Sequence, residues 1–110
     1  MRKIHSDTLL DAVIAIGASG RRFMNGTYHT FQAHGVTSAG AGAATIKIQV
    51  SDVAVPSVDG HWMDAGTITL TLSTTRSTDG FTLNAAWRWV RANVTAISGT
   101  NATVSALIGT

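Results

Sequence analysis

The chain has 110 residues, a size typical of one domain, and its 45% hydrophobic and 13% charged content excludes the composition of a disordered protein. The net charge of +2 comes from scattered Lys and Arg residues that form no basic stripe, so we expect no nucleic-acid binding. The absence of cysteine excludes disulfides and thiolate metal sites, while abundant glycine and threonine without any glutamate favour strands and tight turns over helices. We therefore expect a single β domain over residues 1–110.

The N-terminal segment starts with Arg2 and Lys3 and continues into an apolar run, the order of a secretion signal. Asp7 and Asp11 interrupt that run, so we expect neither export nor a membrane span. Residues 1–8 are predicted to form a flexible arm. Residues 9–16 are apolar on both faces, which is compatible with a central strand or a short helix, and we favour the strand.

Alternation with period two predicts the middle strands. Residues 28–33 form a less regular strand with Phe31 and Ala33 on one side, and residues 81–84 form a short one. In residues 44–50 and 67–72 every even position is aliphatic or alanine and every odd position is polar. Such segments are half-buried strands of an antiparallel sheet. The segments between the predicted strands, residues 37–44, 51–66 and 73–80, are expected to be loops.

The stretch WRWVRANVTAISGTNATVSALI, residues 87–108, carries the same alternation into two further strands. Its inward side chains are predicted to be Val90, Ala92, Val94, Ala96, Val104, Ala106 and Ile108. Opposed residues share a face, so a hairpin must pair Val94 with Val104 or with Ala106, around a turn containing Gly99 and Asn101. The whole pattern predicts an all-β fold, a jelly-roll-like antiparallel β-sandwich of seven to eight short strands.

The odd positions of the same stretch place aromatic and arginine side chains on the face away from the core. Such residues are typical of interface hot spots, although tryptophan rings can also simply cover the outer face of a sheet beside an arginine stem. A third tryptophan follows an Asp-Gly turn in the long loop and has the same two interpretations. The candidate partner-binding residues are Asp59, His61, Trp62, Trp87, Trp89 and Arg91.

No catalytic residue, cofactor or metal site is expected. His29 and His34 are predicted on opposite faces of one strand, and the aspartates of the long loop match no standard calcium-binding spacing. The glycines of SAGAGAA lack the pattern of a phosphate-binding loop. No acid, base and nucleophile converge, so an enzyme is the least favoured class.

Two longer stretches, SAGAGAATIKIQVS and DGHWMDAGTITLTLSTTRSTDGFTLNAAWRWVRANVTAISGTNATVSALIG, resemble a group of small β-sandwich virion proteins of tailed bacteriophages. The resemblance covers residues 38–109 and departs from the group's pattern at DVAVPSV, residues 52–58, where the group has a tighter turn. The size is also similar to the capsid decoration (cement or staple) proteins of epsilon15-like short-tailed phages.

The resemblance implies a non-enzymatic protein, made in the bacterial host cytoplasm, that binds the outside of the virion capsid. It would bridge neighbouring subunits of the major capsid protein, as a symmetric homodimer, with residues 52–64 in the partner surface. Two alternatives remain open at this point. One is a jelly-roll carbohydrate-binding module that stacks sugars on its tryptophans, and the other is a tail or neck component of the virion.

Overall fold

The computed structural model describes residues 6–24 and 28–109. Over these residues the chain forms nine β-strands and one short 3-10 turn, Asp59–His61. The strands are β1 Ser6–Val13, β2 Gly17–Ala18, β3 Arg22–Phe23, β4 Tyr28–Val36, β5 Ala39–Ser51, β6 Met63–Leu72, β7 Ser77–Asn84, β8 Trp89–Thr100 and β9 Thr103–Gly109.

The strands form two antiparallel sheets. The first sheet has the order β1-β9-β4-β7, and the second has the order β2-β8-β5-β6, with β3 also paired to β8. Because β2 and β3 both lie against β8, they occupy one strand position, which gives two facing sheets of four positions each. Six of the seven connections between successive positions cross from one sheet to the other. This is the jelly-roll arrangement, and the predicted fold class is confirmed.

The core lies between the two sheets and is built from the inward-facing side chains of the alternating strands. Ile46, Ile48 and Val50 face Val104, Ala106 and Ile108 across the interior, and all are at most 4% exposed. Phe31 and Ala33 contribute from β4. The inward assignment made from sequence is therefore confirmed for these positions.

The predicted hairpin between β8 and β9 is wrong. β8 pairs with β5 in the second sheet, and β9 pairs with β1 and β4 in the first. A shared inward face is satisfied equally well by two strands that lie side by side and by two that face each other across the core. The turn residues were identified correctly, since Gly99 and Asn101 both have positive φ values.

Ala96 was expected to face inward but is exposed. β8 pairs regularly with β5 up to Val94, which lies opposite Ile46, and the next pair joins Ala96 to Thr45. Thr95 is thus an extra residue in a β-bulge. The bulge reverses the alternation beyond this point, so Ile97 packs against the core instead.

Several strands are longer than predicted, because parts of the expected loops are paired. β5 begins at Ala39, β6 at Met63 and β7 at Ser77, inside the segments assigned to loops. Residues 9–16 are a strand only as far as Val13. Residues 6–8 of the predicted arm pair with β9, and residues 1–5 lie outside the described part. His29 is buried and His34 half-buried on opposite faces of β4, as predicted.

Candidate partner-binding surface

The outer face of the second sheet is organised around Arg91 of β8. Its Nε–H donates to Gln49 Oε1 on β5 at 2.8 Å, and Nη2 donates to Asp59 Oδ1 at 3.1 Å. The guanidinium carbon lies 4.6 Å from the ring centroid of Trp62. The Arg91 side chain is only 12% exposed, so its charge is held largely out of water by these three partners.

Asp59 and Trp62 reach Arg91 because the chain between β5 and β6 folds back over the sheet. The 3-10 turn Asp59–His61 is closed by the Trp62 N–H donating to the Asp59 carbonyl oxygen. His61 Nδ1 accepts the backbone N–H of Ser57 at 3.1 Å, which fastens the preceding part of the loop to the turn. The predicted residues Asp59, His61 and Trp62 therefore lie together with Arg91.

Trp89 joins the same loop to the opposite edge of the sheet. Its Nε1–H donates to the Ala54 carbonyl oxygen at 3.3 Å. The ring of Phe23 on β3 meets it edge-to-face, with 5.2 Å between centroids, and the Arg21 guanidinium lies 4.6 Å from its centroid. Arg21, Phe23, Trp62, Trp89 and Arg91 are called the tryptophan–arginine cluster below.

Trp87 does not belong to this cluster, although the sequence pattern placed it on the same face as Trp89. β8 begins only at Trp89, so the alternation does not extend back to residue 87. Trp87 lies half-buried in the connection after β7 and packs against the core. This position agrees with the interpretation of Trp87 as a packing residue, and its partner-binding role stays a prediction.

Exposed apolar side chains surround the cluster. Phe23 is 60% exposed and Val55 64% exposed, and exposed apolar residues grouped in this way are typical of an interaction surface. We call the exposed apolar residues near the start of β8 the loop patch, which shares Phe23 with the cluster. Its members are Phe23, Val53, Val55, Val58 and Met63. The sequence reasoning identified residues 52–64 as a candidate surface but missed Phe23, because β3 has only two residues and no alternation to identify it.

A polar network extends from the cluster across the sheet. Gln49 donates to Asp64 Oδ1 at 2.9 Å, and Lys47 Nζ lies 3.2 Å from Asp64 Oδ2. The hydrogen bond from Gln49, the hydrogen bond from Lys47 and the charge of Lys47 hold the pKa of Asp64 below its usual value. Within residues 6–24 and 28–109 no group of three or more histidines and aspartates has the arrangement of a metal site. The described part of the chain also contains no helix that is long and apolar enough to span a bilayer.

A second apolar surface lies towards the other end of β8 and was not anticipated from the sequence. Ile14 is 74% exposed and Ile16 67% exposed, in the connection between β1 and β2. Ile14 also lines a cleft of about 290 Å³ together with Ile97 and the turn at Gly99. We call Ile14 and Ile16 the isoleucine patch. The available sequence signal was the apolar character of residues 9–16 on both faces, which favoured a central strand over a short helix.

No model of a known protein family matches the chain, and no curated protein matches it either. Its fold is similar to the crystal structure of the SPBc2 prophage-derived protein YomS, with a TM-score of 0.59. The two sequences are 13% identical, and the similarity covers 98% of this chain and 94% of that one. At this level of identity the comparison establishes a shared fold, here with a prophage-encoded protein.

Proposed function

We propose that this protein is a structural component of a tailed-bacteriophage virion that binds the outer surface of the capsid and bridges neighbouring major capsid protein subunits. The observation that carries the proposal is the tryptophan–arginine cluster with the exposed loop patch beside it. The fold shared with a prophage-encoded protein and the resemblance of residues 38–109 to virion proteins support the phage context.

The cluster has the composition and preorganisation of a protein interface. Aromatic and arginine side chains dominate the energetics of such interfaces when they are rigid and surrounded by apolar contacts. Here Trp62 and Trp89 are each fixed by an arginine and by the loop, while Phe23 and Val55 remain available. A partner that covers the loop patch would therefore bury apolar area without first ordering these side chains.

The isoleucine patch supports the bridging part of the proposal, because a bridge needs two separate contact surfaces. Trp89 lies beside the loop patch and Ile97 lines the cleft with Ile14. The two are eight positions apart in β8, at most about 26 Å along an extended strand. When each patch contacts a different subunit, the first contact raises the effective concentration for the second.

The alternative of a sugar-stacking module would use the same tryptophans. Such a module needs tryptophan rings with an open face. Arg91 covers one face of Trp62 and Arg21 covers one face of Trp89, so at most one face of each ring is left for a sugar. Trp87 packs against the core. A tail or neck position in the virion would use the same surfaces, and it is distinguished from a capsid position by locating the protein in intact particles.

Co-sedimentation with capsids assembled without this protein tests the proposal. Val55→Asp places a charge in the loop patch, and Trp89→Ala removes the indole that links the loop to β3. We expect each to weaken binding by at least about tenfold, or ~1.4 kcal/mol, because a buried interface position then carries an unpaired charge or loses an anchor.

The matched control is Thr82→Asp, which adds the same charge to an exposed position on β7 of the first sheet and should leave binding unchanged. Circular dichroism confirms that each variant is folded. Undiminished capsid occupancy by both Val55→Asp and Trp89→Ala would reject the proposed surface, and binding of the protein to a glycan array but not to capsids would favour the carbohydrate alternative.

A further inference from the structure

The two sheets end in four strand positions whose outer edges have no partner strand among the described residues: β1, β7, β6 and the combined β2 and β3. An unpaired edge exposes backbone N–H and C=O groups that can accept another extended chain. Soluble proteins usually protect such edges with charges, bulges, prolines or very short strands. Three of the four edges have such protection along their length, whereas β6 has it only at its start, where Asp64 and a register shift precede Gly66.

The edge of β1 carries Asp7 and Asp11, and its pairing with β9 is irregular at two places. β2 and β3 are only two residues long each. β7 contains Asp79, whose carboxylate accepts the N–H of Gly80 at 2.8 Å and so occupies a backbone donor of the strand. Each of these features opposes the approach of a further strand.

The edge of β6 has none of these features between Thr67 and Leu72. This segment contains neither a charge nor a proline, and it pairs with β5 without a register shift. Its odd positions are exposed threonines, and its even positions, Ile68, Leu70 and Leu72, are buried in the core. The hydroxyl of Ser77 donates to the Thr71 carbonyl oxygen, so the open stretch is centred on residues 67–70.

We propose that this edge of β6 is a self-association surface, at which the same edge of a second copy of the chain pairs antiparallel across a two-fold axis. Threonine alternates with isoleucine or leucine along the segment Thr-Ile-Thr-Leu-Thr-Leu, whichever way the chain runs. A two-fold antiparallel pairing can therefore place threonine opposite threonine on the solvent face and aliphatic opposite aliphatic on the core face. Cross-strand pairs of both kinds stabilise antiparallel sheets. A second copy of the chain can therefore pair with this edge without bringing a charge against it. The second sheets of the two copies then form one continuous sheet of eight strand positions.

The pairing requires no capsid, so its test uses the purified protein alone. Thr67→Lys/Thr69→Lys places two like charges on the edge of every copy, and Thr67→Asp/Thr69→Asp does the same with the opposite sign. Sedimentation equilibrium should show a wild-type dimer and, for each double variant alone, a dissociation constant raised by about 100-fold. Mixing the two variants should restore a mixed dimer, because lysines then lie opposite aspartates.

The control is Thr30→Lys/Gln32→Lys, which adds the same charges to exposed positions of β4, a strand paired on both sides. This variant should remain a dimer. Circular dichroism and thermal melting verify that all variants are folded, and the Asp variant is expected to fold well because Thr67 lies opposite Lys47. The inference is wrong if the wild type is monomeric at every concentration, or if the charged variants dimerise as the wild type does. These results would not affect the capsid-binding proposal, which depends on other residues.

Discussion

Arg91 connects the second sheet to the loop between β5 and β6 through three different contacts of one guanidinium group. Its planar face stacks on Trp62, one nitrogen binds Gln49, and another binds Asp59. A lysine has a single ammonium and no planar face, so it cannot reproduce all three contacts. The same three contacts explain how a charged side chain can be mostly withdrawn from water at the centre of a sheet face.

Arg91→Ala is expected to lower the free energy of unfolding by about 1–2 kcal/mol, because the stacking contact is lost and Gln49 loses a charged donor. Asp59 contributes little to this value, since its side chain is 97% exposed. Urea denaturation followed by circular dichroism measures the change. Acrylamide quenching of tryptophan fluorescence should increase as Trp62 becomes more accessible.

Arg88→Ala is the matched control, because Arg88 is exposed and its hydrogen bonds to Asp52 and Met24 use only its backbone atoms. The change in stability should stay within about 0.5 kcal/mol. Equal effects of the two substitutions would show that Arg91 does not organise the cluster.

At the scale of elements, the start of β5 shows why a tract rich in glycine and alanine is a strand here. Gly42 lies where β5 passes close to β8, near an irregularity in their pairing. A Cβ at this position would overlap the carbonyl oxygen of Ser98 and approach the Cα of Gly99. The small residues thus permit a close approach of two backbones, which composition alone does not distinguish from a mobile loop.

Gly42→Ala is expected to destabilise the protein by about 2 kcal/mol or more, because the clash involves backbone atoms that cannot rotate away. For a chain of this size the melting temperature should fall by roughly 8 °C or more. Differential scanning calorimetry measures both quantities.

Gly20→Ala serves as its control, since an added Cβ there meets no atom within 4 Å. Its melting temperature should lie within about 2 °C of the wild type. Equal melting temperatures of Gly42→Ala and Gly20→Ala would show that the close approach of β5 to β8 does not require glycine at position 42.

At the scale of the whole molecule, the described part of the chain is flat, with extents of 41 × 40 × 17 Å. The loop patch and the isoleucine patch lie towards opposite ends of β8. A thin plate with one contact surface towards each end is suited to lie across a boundary between two subunits on a larger surface. The bridging proposal therefore predicts that the two patches make separable contributions.

Ile14→Asp/Ile16→Asp should leave the loop patch intact and permit binding through one contact. Apparent affinity for capsids should fall by about 100-fold or more, because the gain from bivalent attachment is lost. Capsids carrying this variant at saturation should release their DNA at the same temperature as undecorated capsids, as measured with an intercalating dye. Wild-type levels of capsid stabilisation by this variant would contradict bridging through the isoleucine patch.

By itself the sequence determined the fold class and the inward faces of the long strands. Alternation in residues 67–72 and from Val90 to Val94 depends only on the period of an extended chain and the hydrophobic effect, both of which are local. It also indicated that Trp62, Trp89 and Arg91 share a surface, because that expectation needed only the odd face of β8 and a loop near its end.

Only the tertiary structure decided which strands are neighbours, how Trp87 is buried, and where Phe23, Ile14 and Ile16 are exposed. β8 and β9 are adjacent in sequence and alike in pattern, yet they belong to different sheets. Strand pairing depends on contacts between residues far apart in the chain, and one bulge at Thr95 is enough to reverse a face. Periodicity records which way a side chain points relative to its own strand, whereas the identity of the strand beside it is set by the packing of the whole sandwich.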